Sequence, residues 1–363
     1  MTLDIGIIGL PNVGKSTLFN AITAGTAEAS NYPFCTVEPN VGIVIVPDPR
    51  LENLRAIIQP DSTTPTTIRF VDIAGLVQGA SKGEGMGNQF LSHIREADAL
   101  VQVVRCFDNA GVSHVDGTID PLRDIATIAT ELLMADLAVM EQAVPYLDKV
   151  VRSEPQSERK LELEVSTRVL AGLQRGAGVN ELELGVDEIA VLASYRLMTA
   201  KPMLYAANIG DGAVDDEDQR LARLVERCGA EKVIAVAAQW EAELTGLTLE
   251  EREEFLAELG LENLGVERLI QAGYRLLDLI NFYTLANRKL QAWPLPRGEK
   301  APRAAGRIHT DMERGFIGAE LAHCDQLLTA GGWTQLKAAG QLRTEGRDYA
   351  VADGDVITFL FKV

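Results

Sequence analysis

The chain has 363 residues, 47% of them hydrophobic, enough to build more than one core. It shows no apolar run of membrane-spanning length, and Met1-Thr2-Leu3-Asp4 lacks the basic start and apolar core of a secretory leader. A formal net charge of -18 disfavours nucleic-acid binding by the surface at large, and four cysteines without metal-like spacing fit a reducing, cytoplasmic setting.

In chain order, six short β-branched-rich runs read as buried strands: Leu3–Leu10, Val41–Val46, Ile68–Ile73, Ala99–Cys106, Met203–Ile209 and Val233–Ala238. Helical patterns lie between most of them, which argues for an α/β sheet covered on both faces. Val41–Val46 follows a loop rather than a helix and is expected as an antiparallel edge strand. Asp120 to Ala200 holds no strand candidate; helices are expected over Leu122–Val151, Glu158–Arg175 and Asp187–Thr199. They form either a projecting helical hairpin or an extra layer on the core. After Gly273–Ile280 the texture changes. Trp293-Pro294-Leu295-Pro296 punctuates the chain, and short β-like runs such as Val356–Phe361 suggest a separate small α+β domain. From Asn281 onward there are 11 Lys/Arg against 9 Asp/Glu, whereas the rest carries 23 against 43.

Gly9-Leu-Pro-Asn-Val-Gly14-Lys15-Ser16, between a strand and a helix, is a phosphate cradle. Its amides and the helix N-terminus converge on phosphate oxygens, Lys15 adds a charge and Ser16 offers a hydroxyl to Mg²⁺. Phosphate contacts are expected from Asn12, Val13, Gly14, Lys15, Ser16 and Thr17. Asp72-Ile73-Ala74-Gly75 closes the third strand. Asp72 is placed to reach Mg²⁺ through water, and the Gly75 N–H to meet a γ-phosphate. Thr36, in Tyr32-Pro33-Phe34-Cys35-Thr36, would complete the Mg²⁺ shell. Two such loops behind a phosphate cradle make a γ-phosphate sensor. A metabolic kinase is the other reading of such a cradle, but no acceptor site is identifiable.

The stretches "GLPNVGKSTLFNAIT", "NYPFCTVEPNVGIVIVPDPRL", "DIAGLVQGASKGEGMGNQFLSHIREADAL" and "FDNAGVSHVDGTIDPLRDI" closely resemble the YchF family, the Obg-like ATPases. The resemblance runs essentially the full chain. It implies a Ras-like P-loop domain over residues 1–125 and 200–279, an α-helical coiled-coil insertion over 126–199, and a ubiquitin-like TGS domain over 280–363. It also implies slow hydrolysis of ATP to ADP and phosphate, and association with ribosomes as a nucleotide-dependent switch. A nucleotide-gated RNA- or ribosome-binding module, with incidental hydrolysis, is the alternative. The expected state is a monomer, with a nucleotide-dependent dimer as the other option.

Guanine is usually read by Asn-Lys-x-Asp. The matching Asn208-Ile209-Gly210-Asp211 lacks the lysine. Family members commonly carry Glu at the fourth position and prefer ATP. In that picture Asn208 meets the adenine edge and the backbone around Ile209 adds contacts. The shorter Asp211 keeps guanine readout chemically open. Leu76 stands where many switch NTPases place a water-orienting Gln. The resemblance offers His114 in its place; an exposed loop histidine without a role is the competing reading. His93 reads as a structural helix residue. Asn12 either helps hold K⁺ beside the β- and γ-phosphates or merely holds the loop. Arg288, Lys289, Arg297, Lys300, Arg303, Arg307 and Arg314 cluster near Trp293 and His309. They form either an RNA-phosphate face or a solvated one; the TGS resemblance favours RNA. Loss of salt-sensitive ribosome association on removing Asn281–Val363 is the expected result.

Overall fold

The computed structural model describes residues 3–24, 40–73, 86–109, 111, 112, 114, 115, 117–154, 157–210, 215–244, 247, 251, 256 and 263–362. These fall into two compact units, Met1–Val44 with Arg69–Gly273, and Ile45–Ile68 with Tyr274–Val363.

A six-stranded sheet holds all six expected strands: β1 (Asp4–Ile8), β2 (Val41–Ile45), β4 (Thr67–Asp72), β5 (Ala99–Arg105), β6 (Met203–Asn208) and β7 (Val233–Val236). Its order is β2-β4-β1-β5-β6-β7. β1 pairs in parallel with β4 and β5, and β5, β6 and β7 continue in parallel. The bonds Asp72 N–H to Asn40 O (2.8 Å) and Val46 N–H to Thr66 O (2.9 Å) run in opposite chain senses, so β2 is an antiparallel edge. Every residue of β5 is buried. A strand covered on both faces reads as one continuous apolar run, which is why it was legible. The chain leaves β1 for β4 on one side and β5 on the other, so the loop after β1 opens at the switch point of the sheet.

After β5 comes α4 (Pro121–Ser153), capped by Asp120, whose carboxylate accepts from Leu122 and Arg123 N–H. It pairs with α5 (Lys160–Gln174) over a core of its own: Met140, Val165, Val169, Leu173, Val179, Leu192 and Leu197. The buried Asp136 of α4 accepts from the Met198 and Thr199 N–H groups at 2.9 and 2.7 Å, pinning the return segment. An N-cap aspartate, a 33-residue run and a private core account for this helical insertion.

The second unit is a sheet of order β11-β10-β12-β8-β9-β3. Its strands are β3 (Ser62–Thr64), β8 (Leu279–Ala286), β9 (Lys289–Pro296), β10 (Phe316–His323), β11 (Arg343–Glu345) and β12 (Asp355–Phe361). Ile280, Phe282, Phe316, Ile357 and Phe359 meet the helices Ala301–Ile308 and Thr310–Arg314 in one cluster. Tyr283, Leu290, Ala292 and Val356 meet α2 (Pro49–Ile58) and the helices Cys324–Ala330 and Trp333–Ala338 in another.

Here the structure departs from the sequence partition, which kept residues 45–68 in the nucleotide part. Leu51 and Leu54 of α2 are 2% and 0% exposed, buried in the second cluster, and β3 pairs in parallel with β9. A buried polar network fixes the same segment. The Asp48 carboxylate accepts from the Tyr283 hydroxyl (2.5 Å), the Asn281 amide (2.8 Å) and the Arg50 backbone and side chain (both 3.1 Å). Thr66 and Tyr274 hydroxyls both donate to Asn281 Oδ1.

Candidate functional site

The loop between β1 and α1 (Lys15–Ala24) is shaped by backbone demands that few residues meet. Asn12 sits at φ 64° and Gly14 at φ 90°, both left-handed. At Gly14 a Cβ would also lie 2.1 Å from Asn208 Nδ2. That contact exists because the Asn208 side chain reaches under the loop, donating to Val13 O at 2.9 Å and accepting from Ala238 N–H at 3.3 Å. Val13 is 1% exposed, so its carbonyl needs such a donor. Asn208 is therefore a strut joining the loop to the ends of β6 and β7. The sequence reading saw only a base reader there.

Gly14→Ala is expected to lower stability by about 2 kcal/mol, from left-handed strain and the displaced strut, and to weaken nucleotide binding at least about tenfold. Thermal melting and titration with a non-hydrolysable triphosphate check it. A variant that melts and binds like the parent would remove the strut from the account.

At the start of α1, Lys15 ion-pairs with Asp72 at the end of β4, and the Ser16 hydroxyl lies 3.4 Å from the other carboxylate oxygen. Lys15 and Asp72 side chains are only 11% and 13% exposed, so their charges meet in a partly desolvated corner. One carboxylate and one hydroxyl are hard oxygen donors and suit Mg²⁺ rather than a soft metal. The structure thus brings together Lys15, Ser16 and Asp72, and places Thr17, half-buried, one residue on. Thr36, Gly75 and Asp211 lie outside the described residues.

At the end of β6, Ile209 N–H donates to Val236 O at 3.0 Å, closing the strand against β7. Ala237 N–H donates to Glu241 in α8 (Ala238–Leu244), and the same carboxylate accepts from Val266 N–H at 2.7 Å. Glu241 is 4% exposed, and burial pushes its carboxyl above the ordinary range against the pull of those amides. The sequence reading missed this buried brace, because a glutamate in an exposed-looking helix carries no periodic signal.

His114 is not presented to solvent. Its Nε2 lies 2.8 Å from the Asp124 carboxylate in the first turn of α4, and both side chains are 2% exposed. Arg123 Nη2 approaches His114 Nδ1 at 3.4 Å. Arg105, buried at the end of β5, donates to the carbonyls of Phe107, Val112 and Asn109 and holds the intervening chain. Arg105 and Asp124 were invisible as partners of this loop in the sequence.

Several cations of the basic run in the second unit are paired with acids. Arg288 lies in the β8–β9 turn and pairs with Asp61; Arg297 pairs with Asp278, Lys300 with Asp348 and Arg303 with Glu313. Such exposed pairs contribute little and open readily to a competing anion.

Residues 4–137 match a family described as 50S ribosome-binding GTPase, and residues 279–362 match YchF-GTPase_C, described as a protein of unknown function. Over 364 residues, all of both chains, this chain is 46% identical to "Ribosome-binding ATPase YchF" of Escherichia coli O157:H7. With the protein of the same name from Bacillus subtilis it shares 44% over 367 residues, again covering both chains completely. It belongs to the YchF family. The solved structure of the Schizosaccharomyces pombe YchF GTPase superposes with a TM-score of 0.88 at 34% identity, covering 99% of this chain and 98% of that one. The YchF relationship fixes the fold as a mixed α/β P-loop GTPase type with a YchF C-terminal domain.

Proposed function

We propose that this chain is a ribosome-binding ATPase, a nucleotide-dependent switch of the cytoplasm. The convergence of Lys15 and Ser16 on Asp72 beside a left-handed glycine loop carries the reading. The full-length relatives are named ribosome-binding ATPases, whereas the fission-yeast protein is named a GTPase. Both bases are therefore tested, with ATP expected to bind more tightly.

Asn12, Val13, Gly14, Lys15, Ser16, Thr17 and Gly75 are the phosphate contacts of this reading. The base is met by Asn208, Ile209 and Asp211, Asn208 acting through its strut. Ser16 and Asp72, with Thr36, would hold Mg²⁺, which neutralises charge on the β- and γ-phosphates. Lys15 leaves Asp72 for the phosphates when nucleotide enters. His114 is the water-orienting group, and its ring must first leave Asp124. The helices after β5 form the coiled-coil insertion, the second unit is the TGS domain that contacts ribosomal RNA, and the free chain is a monomer.

Pelleting with ribosomes, together with calorimetric titration of ATP and GTP analogues in Mg²⁺, tests the reading. Absence of purine triphosphate affinity would end it. Asn12 is assigned to a K⁺ site, so turnover should be several-fold faster in K⁺ than in Na⁺ at equal ionic strength. Equal steady-state rates in the two salts would remove the cation.

A further inference from the structure

The second unit carries a cleft of about 290 Å³ that the nucleotide chemistry does not use. Its walls include Ile57, Pro60, Leu285, Arg288, Trp333 and Gln335. Trp333 is half-buried, with part of its ring packed on the core and part facing the cleft. Gln59 and Thr334 add polar groups at the rim. The volume sits at the small end for ligand clefts, room for one ring system.

Arg288 stands out. β8 and β9 are joined by the two-residue turn Asn287–Arg288, with φ of 51° and 59°. Asn-Gly is the unstrained choice for such a turn, and an arginine there carries left-handed strain that glycine would avoid. The guanidinium is then oriented from one side. Nε donates to Asp61 at 2.8 Å and Nη2 to Gln59 O at 3.2 Å, while the side chain stays 69% exposed. Its remaining N–H donors are available to an anion, and exposed Lys289 follows it.

A purely apolar occupant would pack on Trp333, Pro60 and Ile57 but make no use of the guanidinium's remaining donors. A bare anion would leave Trp333, Pro60 and Ile57 without a partner. A planar heterocycle joined to a phosphate satisfies both halves. We propose that this cleft receives one unpaired nucleotide of RNA, its base against Trp333 and its phosphate at Arg288. This deepens the ribosome-binding reading and rests on it. An overall charge of -18 opposes RNA at large, so binding here rests on the local contacts of Trp333, Arg288 and Lys289.

The test uses the full chain and a fluorescein-labelled single-stranded RNA of about ten nucleotides, followed by anisotropy at low salt. Trp333→Ala and Arg288→Gly should each raise the Kd about tenfold or more, and Trp333→Phe should stay within about threefold. Arg288→Gly should melt no lower than the parent, which separates lost binding from lost folding. ATP hydrolysis without ribosomes should be unchanged in all three. No oligonucleotide binding by the parent, or equal binding by the parent, Trp333→Ala and Arg288→Gly, overturns the proposal. Ribosome pelleting runs in parallel. A parent that binds the oligonucleotide through Trp333 but does not pellet removes the ribosome reading and leaves the RNA cleft standing. Variants that pellet like the parent overturn the cleft alone. Variants that lose ribosomes when the parent shows no oligonucleotide binding give the cleft to a protein partner, and the proposal falls.

Discussion

Lys15→Ala lowers affinity for ATP by roughly a hundredfold, about 3 kcal/mol, and abolishes measurable turnover. The loss has two sources. The ammonium that would meet the phosphates is gone, and the Asp72 carboxylate, 13% exposed and deprived of its partner, now faces a polyanion. Asp72→Asn separates them. Without Mg²⁺ that variant should bind nucleotide more tightly than the parent, because a repelling carboxylate is removed and Lys15 is released. With Mg²⁺ it should bind more weakly, because an oxygen donor of the ion is lost. Titration calorimetry with a non-hydrolysable analogue, with and without chelator, reads both signs. Lys15→Ala that binds and hydrolyses like the parent refutes the nucleotide site.

The second large effect is structural. Asp48→Ala should cost about 3–5 kcal/mol of stability in the second unit. It strands the Tyr283 hydroxyl, the Asn281 amide and part of Arg50, all of which converge on that carboxylate. Burial by itself raises the Asp48 carboxyl pKa, but hydrogen bonds from Tyr283 and Arg50, with the Arg50 charge, outweigh it and hold it below its ordinary value. A depressed carboxyl contributes stability that is complete above the unfolded value of about 3.9 and fades as pH falls through the folded value. The gap in melting temperature between parent and variant should therefore narrow in strong acid. A variant that melts with the parent at pH 7 would show the network to be ornamental. The same contacts spoil the obvious deletion. Removing Asn281–Val363 would uncover Leu51 and Leu54, so lost ribosome binding in that truncation would report misfolding as much as a missing surface.

Much of this was legible because the relevant signals are local. β5 announces itself as an unbroken apolar run, and Gly14 and Lys15 by their spacing after β1. What stayed hidden is set by distant partners. β3 is three residues, Ser-Thr-Thr, without an apolar face, and only its pairing with β9 gives it an owner. Asp48 looks like a helix cap, which it is, and nothing nearby announces Tyr283. Asn208 fits a base-reading motif, yet the atoms that define it in the structure are Val13 O and Ala238 N. His114 was open to two readings, a water-orienting group or an exposed loop histidine; its burial against Asp124 was not legible, because that partner lies in the first turn of the next helix.

The bonds from Asp48, Asp61 and Thr66 to the C-terminal strands span 215 to 235 residues of sequence. Translation at about 5–20 residues per second leaves the early segment waiting roughly 10–50 s for those strands to be made. Throughout that interval the apolar side of α2 has no native cover. A nascent chain of this protein thus carries a helix with an unmatched apolar face until its C-terminal strands are made.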